Sequence, residues 1–144
     1  MEQALFAPKT VIAAVRSKQE LEHALCSRAK VIFLLSGTIS ELPALLRAAH
    51  RMGKKLFLHL DMIEGLAKDA AGVEYAAGLA PDGIISTRGN LIKLAKSYGL
   101  CTVQRFFIVD GRSVETALDT LRQTKPAFAE LMPGLVCKAV RTFS

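Results

Sequence analysis

Six times along the chain, a short run of apolar residues rich in β-branched and aromatic side chains gives way to a longer stretch with helical periodicity. Strand-then-helix units in succession have one economical solution. The helix carries the chain back across the sheet, so successive strands lie parallel and the helices pack outside them. The expected strands are residues 11–15, 31–35, 55–60, 83–86, 101–109 and 128–132. They show little alternation, as expected of parallel strands buried on both faces.

The intervening segments carry helix signals. Ser17, with Glu20 three residues on, has capping-box spacing for a helix reaching Cys26. After Ser36-Gly37-Thr38, the residues Leu42, Leu45, Leu46 and Ala49 form an i, i+3, i+4, i+7 stripe, closed by Met52-Gly53. Residues 61–72 read as a loop with one helical turn, followed by a helix over 73–79. A fourth helix begins at Gly89 or Asn90, runs to Tyr98 and ends at Gly99. A fifth spans 113–124 with Ser113 as its cap, and Pro133-Gly134 turns into a sixth over 135–141. Two α/β architectures fit: a TIM-barrel-like (β/α) repeat, or an open doubly wound parallel sheet. An eight-unit barrel needs roughly 200–250 residues. The 144 residues, read as a single domain, supply about six of its eight units.

Composition narrows the function classes. No apolar run approaches the ~18–20 residues of a membrane helix, and the start Met1-Glu2-Gln3 lacks the cationic region of a signal peptide. A cytoplasmic protein without a membrane partner is expected. Cys26, Cys101 and Cys137 have no metal-ligand spacing, so buried thiols are the default and no cofactor is expected. The net charge of +6 favours anionic partners. Its carriers include Lys18, Arg28, Lys30, Arg47, Arg51, Lys54, Lys93, Lys96, Arg122 and Lys125, on helices or loops, forming one basic face or several.

Ligands of parallel α/β folds gather at the carboxyl ends of the strands. That rule selects Ser36 and Gly37, then Asp61 with Glu64, then Ser86, Thr87 and Arg88, then Gln104 and Arg105, and finally Glu130 with Gly134. Asp61, Gln104, Arg105 and Glu130 are costly to place in or beside strands unless they are paired or bind something. Arg105 without a ligand requires a carboxylate, for which Asp61 or Glu130 would serve. His59, inside an apolar strand, reads as a hydrogen-bonded core histidine. Phosphate-loop, dinucleotide, nucleophile-elbow and zinc-protease motifs are absent, as are zinc-finger spacing and the aromatic signature of RNA-recognition sheets.

Five blocks carry a resemblance. They are residues 32–39 (IFLLSGTI), 53–66 (GKKLFLHLDMIEGL), 82–93 with DGIISTR and NLIK, 102–107 (TVQRFF), and 125–134 with KP and ELMPG. In order and spacing they resemble the glycerol-3-phosphate-responsive antiterminators. The resemblance implies a TIM-barrel-like fold and glycerol 3-phosphate bound at the strand ends. It also implies a non-catalytic action on the leader mRNA of glycerol-utilisation genes that prevents early termination. On it, Asp61 and Glu64 accept hydrogen bonds from glycerol hydroxyls, while Ser36, Ser86, Thr87, Arg88, Gln104 and Arg105 supply polar contacts. Family members look longer, so a truncated or divergent member is expected, with a second copy covering an open flank as a homo-oligomer. Two other readings stay open: a barrel enzyme using Asp61 or Glu64 on a small phosphorylated substrate, and a remnant domain that has lost ligand binding.

Overall fold

A computed structural model describes residues 6–134 and 137–143. Six strands form one sheet: β1 (Ile12–Val15), β2 (Val31–Leu34), β4 (Lys55–His59), β6 (Gly83–Ser86), β7 (Thr102–Phe107) and β8 (Phe128–Met132). Every neighbouring pair is parallel and spatial order equals chain order. A doubly wound sheet reverses its order at a switch point. This one does not, so it is the curled wall of a half-barrel, and the doubly wound alternative fails.

Helices α1 (Lys18–Leu25), α2 (Leu42–Arg51), α3 (Ala70–Gly78), α4 (Gly89–Ser97) and α5 (Gly111–Thr124) connect successive strands, and α6 (Cys137–Phe143) follows β8. The period-2 alternation of each strand divides its side chains between two layers. Ile32, Leu34, Leu56, Leu58 and Ile84 pack outward against Leu21, Leu42, Leu46, Leu91 and Ile92 of the helices. Val31, Phe33, Leu35, Phe57, Ile85 and Val103 point inward with Phe128 and Ile12. Phe6 lies across that inner layer, its ring centroid 4.4 Å from Phe128 and 5.7 Å from Phe57.

The helix starts differ from expectation where two capping residues competed. Asp110, not Ser113, caps α5: its carboxylate accepts from the Ser113 N–H at 2.8 Å, and Ser113 Oγ accepts from the Asp110 N–H at 3.1 Å. Ser113 is thus the third helical residue of a capping box. Helix α3 begins at Ala70 rather than residue 73, because Asp69 accepts from the Gly72 N–H at 3.0 Å. Ser17 does cap α1, accepting from the Glu20 N–H at 3.1 Å, but Glu20 reaches back to the Arg16 N–H instead of the cap residue's own. Strand β7 stops at Phe107, short of residue 109. Residues 135 and 136, expected to open the last helix, lie outside the described residues.

A small second sheet was not expected. Gly37–Thr38 (β3) pairs in parallel with Ile63–Glu64 (β5), directly after the 3-10 turn Leu60–Met62. Two-residue strands carry no periodicity to read. Gly37 (φ 144°) and Gly65 (φ 82°) supply the backbone angles that turn the chain there. The thiols also depart from the default: Cys26 is exposed and Cys101 is half-buried.

Candidate functional site

All six main strands point the same way, so their carboxyl ends share one rim, and the polar residues at that rim form two linked groups. The first is built on Asp61, in the 3-10 turn that follows β4. Its carboxylate accepts from Ser86 Oγ at 2.7 Å, Thr87 N at 2.8 Å and Thr87 Oγ1 at 2.7 Å. Ser86 Oγ in turn accepts from the Arg88 N–H at 3.0 Å. Asp61 therefore sets the conformation of the β6–α4 loop. Burial by itself would raise the Asp61 pKa, but the bonds from Ser86 and Thr87, with a small contribution from His59, hold it below the ordinary carboxylate value. This carboxylate is an ionised acceptor with three donors already in place. The Arg88 side chain is exposed at the same loop and makes no ion pair among the described residues.

The second group lies on the inner face of the last two strands. Arg105 and Glu130 are register partners and meet side by side. Arg105 Nε donates to Glu130 Oε2 at 2.8 Å and Nη2 donates to Oε1 at 3.0 Å. The fork is bidentate, and the side chains are only 10% and 25% exposed. Of the two carboxylates weighed for Arg105, Glu130 is the one in contact.

His59 joins the two groups. It alternates with Phe57 on β4 and so faces inward, 2% exposed. Burial, and then the nearby Arg105 charge, push its pKa down, against smaller opposing pulls from Asp61, Glu130 and its own backbone. Its Nδ1 is buried without a hydrogen-bond partner among the described residues. From its place in an apolar strand His59 is expected to be a hydrogen-bonded core residue. It is in the core, but it is not satisfied, and it faces the charged groups of the site. Its period-2 offset from Phe57 was the available signal.

The remaining expected site residues are scattered. Ser36 Oγ donates to the Arg16 carbonyl. Gly37 and Glu64 belong to the small sheet beside the rim, where the Glu64 carbonyl accepts from the Ile39 N–H at 2.9 Å. Gln104 points to the other face of β7 from Arg105. It is fully buried, and its Oε1 accepts from Thr124 Oγ1 at 2.6 Å, fixing β7 to α5. The structure therefore does not bring Gln104 to the inner face with Arg105. Gly134 is exposed beyond β8, with no described residue packed within 4 Å of where a Cβ would sit. An inner-face cavity of about 350 Å³ opens between β1 and β8, lined by Phe6, Ile12, Phe33, Val103, Phe128 and Glu130 among others. Among the described residues no helix is long and apolar enough to cross a membrane, and no cluster of three or more His, Cys, Asp or Glu could hold a metal.

Three relatives share this architecture or sequence. A glycerol uptake operon antiterminator regulatory protein from Listeria monocytogenes superposes with a TM-score of 0.90 at 30% identity, covering 96% of this chain and 75% of that one. A glycerol uptake operon antiterminator-related protein from Thermotoga maritima gives 0.85 at 26% identity, covering 94% and 78%. The uncharacterized protein YgcP of Escherichia coli K12 is 30% identical over 131 residues, 90% of this chain and 69% of that protein. Residues 11–144 match the profile of one family over nearly the whole chain, and on that match the chain belongs to the glycerol-3-phosphate responsive antiterminators.

Proposed function

We propose that this chain is a ligand-controlled, non-catalytic regulator of glycerol-utilisation genes. Glycerol 3-phosphate binds at the carboxyl-end rim, and the protein acts on leader mRNA to prevent early termination. The observation that carries the reading is the inner-face trio of the half-buried Arg105 and Glu130 with the buried His59, beside the Asp61 network. Mixed charge and an unpaired imidazole nitrogen on an inner face are costly without a ligand to use them.

The roles follow from the chemistry. Arg105 retains donors that Glu130 does not occupy, and with His59 Nδ1 and the unpaired Arg88 it offers cationic and hydrogen-bonding contacts to a phosphate. Glu130 and Glu64 are acceptors for hydroxyl groups. Asp61 is a positioning residue, with three of its roughly four acceptor sites taken by Ser86 and Thr87. The same bonds disfavour Asp61 as the acid or base of a barrel enzyme, because a carboxylate held below its ordinary pKa is poorly matched to proton transfer near neutrality. Acting on a nascent transcript places the protein in the cytoplasm. A second copy covering the open edges of the sheet at β1 and β8 belongs to the same reading. Sedimentation tests it, and a strictly monomeric species would count against it.

The test of the ligand is calorimetric titration of glycerol 3-phosphate into the chain, with glycerol and inorganic phosphate as controls. Saturable binding of glycerol 3-phosphate is expected, with weaker binding of each fragment and loss of binding in Arg105→Met. A folded chain that takes up no glycerol 3-phosphate would remove the sensor reading.

A further inference from the structure

The loops that follow the helices lie on the opposite rim, at the amino ends of the strands, and the charge of the protein is concentrated there. Residues 26–30, 51–55, 79–83, 96–102 and 124–128 make up that rim, and hold seven cations against one carboxylate, Asp82. The carboxyl-end connections, residues 16–17, 35–41, 60–69, 87–88, 108–110 and 133–134, hold three cations against five carboxylates. Two lysines of the amino-end rim serve as stitching. Lys54 Nζ donates to the Ser27 and Ala29 carbonyls, both at 2.6 Å, and Lys96 Nζ donates to the Lys125 carbonyl at 2.8 Å. These bonds tie each cationic loop to its neighbour. Arg28, Lys30, Arg51 and Lys125 are exposed on the stitched loops and have no ion-pair partner among the described residues.

The same rim carries an exposed aromatic. Tyr98, at the end of α4, is 45% exposed. Next to it a cleft of about 350 Å³ is lined by Lys96, Gly99, Leu100, Thr102, Lys125 and Ala127 among others. Strands spaced ~4.8 Å apart place β2 and β8 roughly 19 Å apart along the arc, room for several phosphates of an extended strand. A tyrosine ring with exposed area among unpaired cations is the chemistry that stacks an unpaired base beside its phosphates. A duplex offers phosphates but no free base face.

We propose that the amino-end rim is the RNA-contacting face, taking single-stranded RNA with phosphates on Arg28, Lys30, Arg51 and Lys125 and a base on Tyr98. The proposal rests on the reading of the chain as an RNA regulator, and places the RNA on the rim opposite the ligand.

The test is fluorescence anisotropy of labelled oligouridine of about 12 nucleotides against the full chain, over a salt series, with and without glycerol 3-phosphate. Three variants are compared with wild type: the triple Arg28→Gln, Lys30→Gln, Arg51→Gln; a triple of equal charge change on other surfaces, Lys18→Gln, Lys68→Gln, Arg112→Gln; and Tyr98→Ala. Thermal melts verify that each folds. Each phosphate neutralised on a single strand contributes about −0.7 to the log–log salt slope, so the rim triple should flatten the slope by about 2. Tyr98→Ala should weaken binding roughly tenfold with the slope unchanged. The other triple should bind like wild type. Wild-type binding that survives in the rim triple but falls in the other triple would overturn the face while leaving the regulator reading intact. Equal affinity for duplex RNA together with an unaffected Tyr98→Ala would overturn the single-strand assignment. A wild-type chain that binds no oligouridine at low salt, with or without glycerol 3-phosphate, would overturn the face and the RNA arm of the proposed function together.

Discussion

Replacing Asp61 by Asn changes one atom's chemistry and almost no volume, so its effect isolates the charged acceptor. In the wild type, Oδ2 accepts from both Thr87 N and Thr87 Oγ1, and Oδ1 accepts from Ser86 Oγ. An Asn oxygen turned toward Thr87 keeps two bonds with a neutral acceptor. Its amide nitrogen then faces Ser86 Oγ, which must reverse its hydrogen while still accepting from Arg88 N. Bonds to an ionised acceptor are worth about 1 kcal/mol more than bonds to a neutral one, which over three bonds is about 3 kcal/mol. Thr87 is exposed and water replaces part of what it loses, leaving roughly 2 kcal/mol. For a chain of this size that lowers the melting temperature by about 4–8 °C. The pH dependence supplies an independent check. Because the folded carboxyl lies below its ordinary value of 3.8, its stabilisation is complete above that pH and is lost as pH falls through the folded value. Asp61→Asn should lack that part of the acid limb. Glycerol 3-phosphate affinity should also fall, since the loop carrying Arg88 is pinned less firmly. A variant melting within about 1 °C of wild type, with unchanged calorimetric affinity, would refute the assignment of Asp61 as the organiser of the rim.

Other perturbations test other parts of the structure. Arg105→Met leaves Glu130 without its partner on a largely buried face and should cost roughly 2 kcal/mol in urea denaturation. Adding Glu130→Leu should recover most of that stability without restoring ligand binding, and equal stability of the single and double variants would contradict the ion pair. Gly83→Ala places a Cβ 2.3 Å from Phe57 Cε2 and 2.8 Å from the Cys101 carbonyl oxygen, and Phe57 is fully buried. A loss of roughly 1–3 kcal/mol or more is expected, and a neutral denaturation midpoint would show that the inner layer has slack. The His59 pKa lies below its ordinary value of 6.5, so its contribution is complete above that pH and is lost as pH falls from there toward the folded value. His59→Gln should flatten stability against pH over that interval in chemical melts. An unchanged profile would mean that neither burial nor Arg105 depresses the imidazole pKa in the folded chain.

The sequence by itself determined the repeat of strands and helices, their number and their parallel sense, because apolar runs and helical stripes are local patterns that survive without tertiary context. It also determined that the charged residues in or beside strands, Asp61, Arg105 and Glu130, needed partners, since burying an unpaired charge is prohibitive wherever the chain goes. Which partner each took was a tertiary outcome. Arg105 and Glu130 meet because β7 and β8 pair in one register, and a shift of a single residue would turn one of them to the helix side. The same alternation turned Gln104 outward to Thr124 and His59 inward to the charges. The closing of the helix-to-strand loops onto one rim likewise gathered Arg28, Lys30, Arg51 and Lys125, dispersed along the chain, onto one face. Periodicity gives a residue its side of a strand, but only the assembled sheet decides what lies on that side.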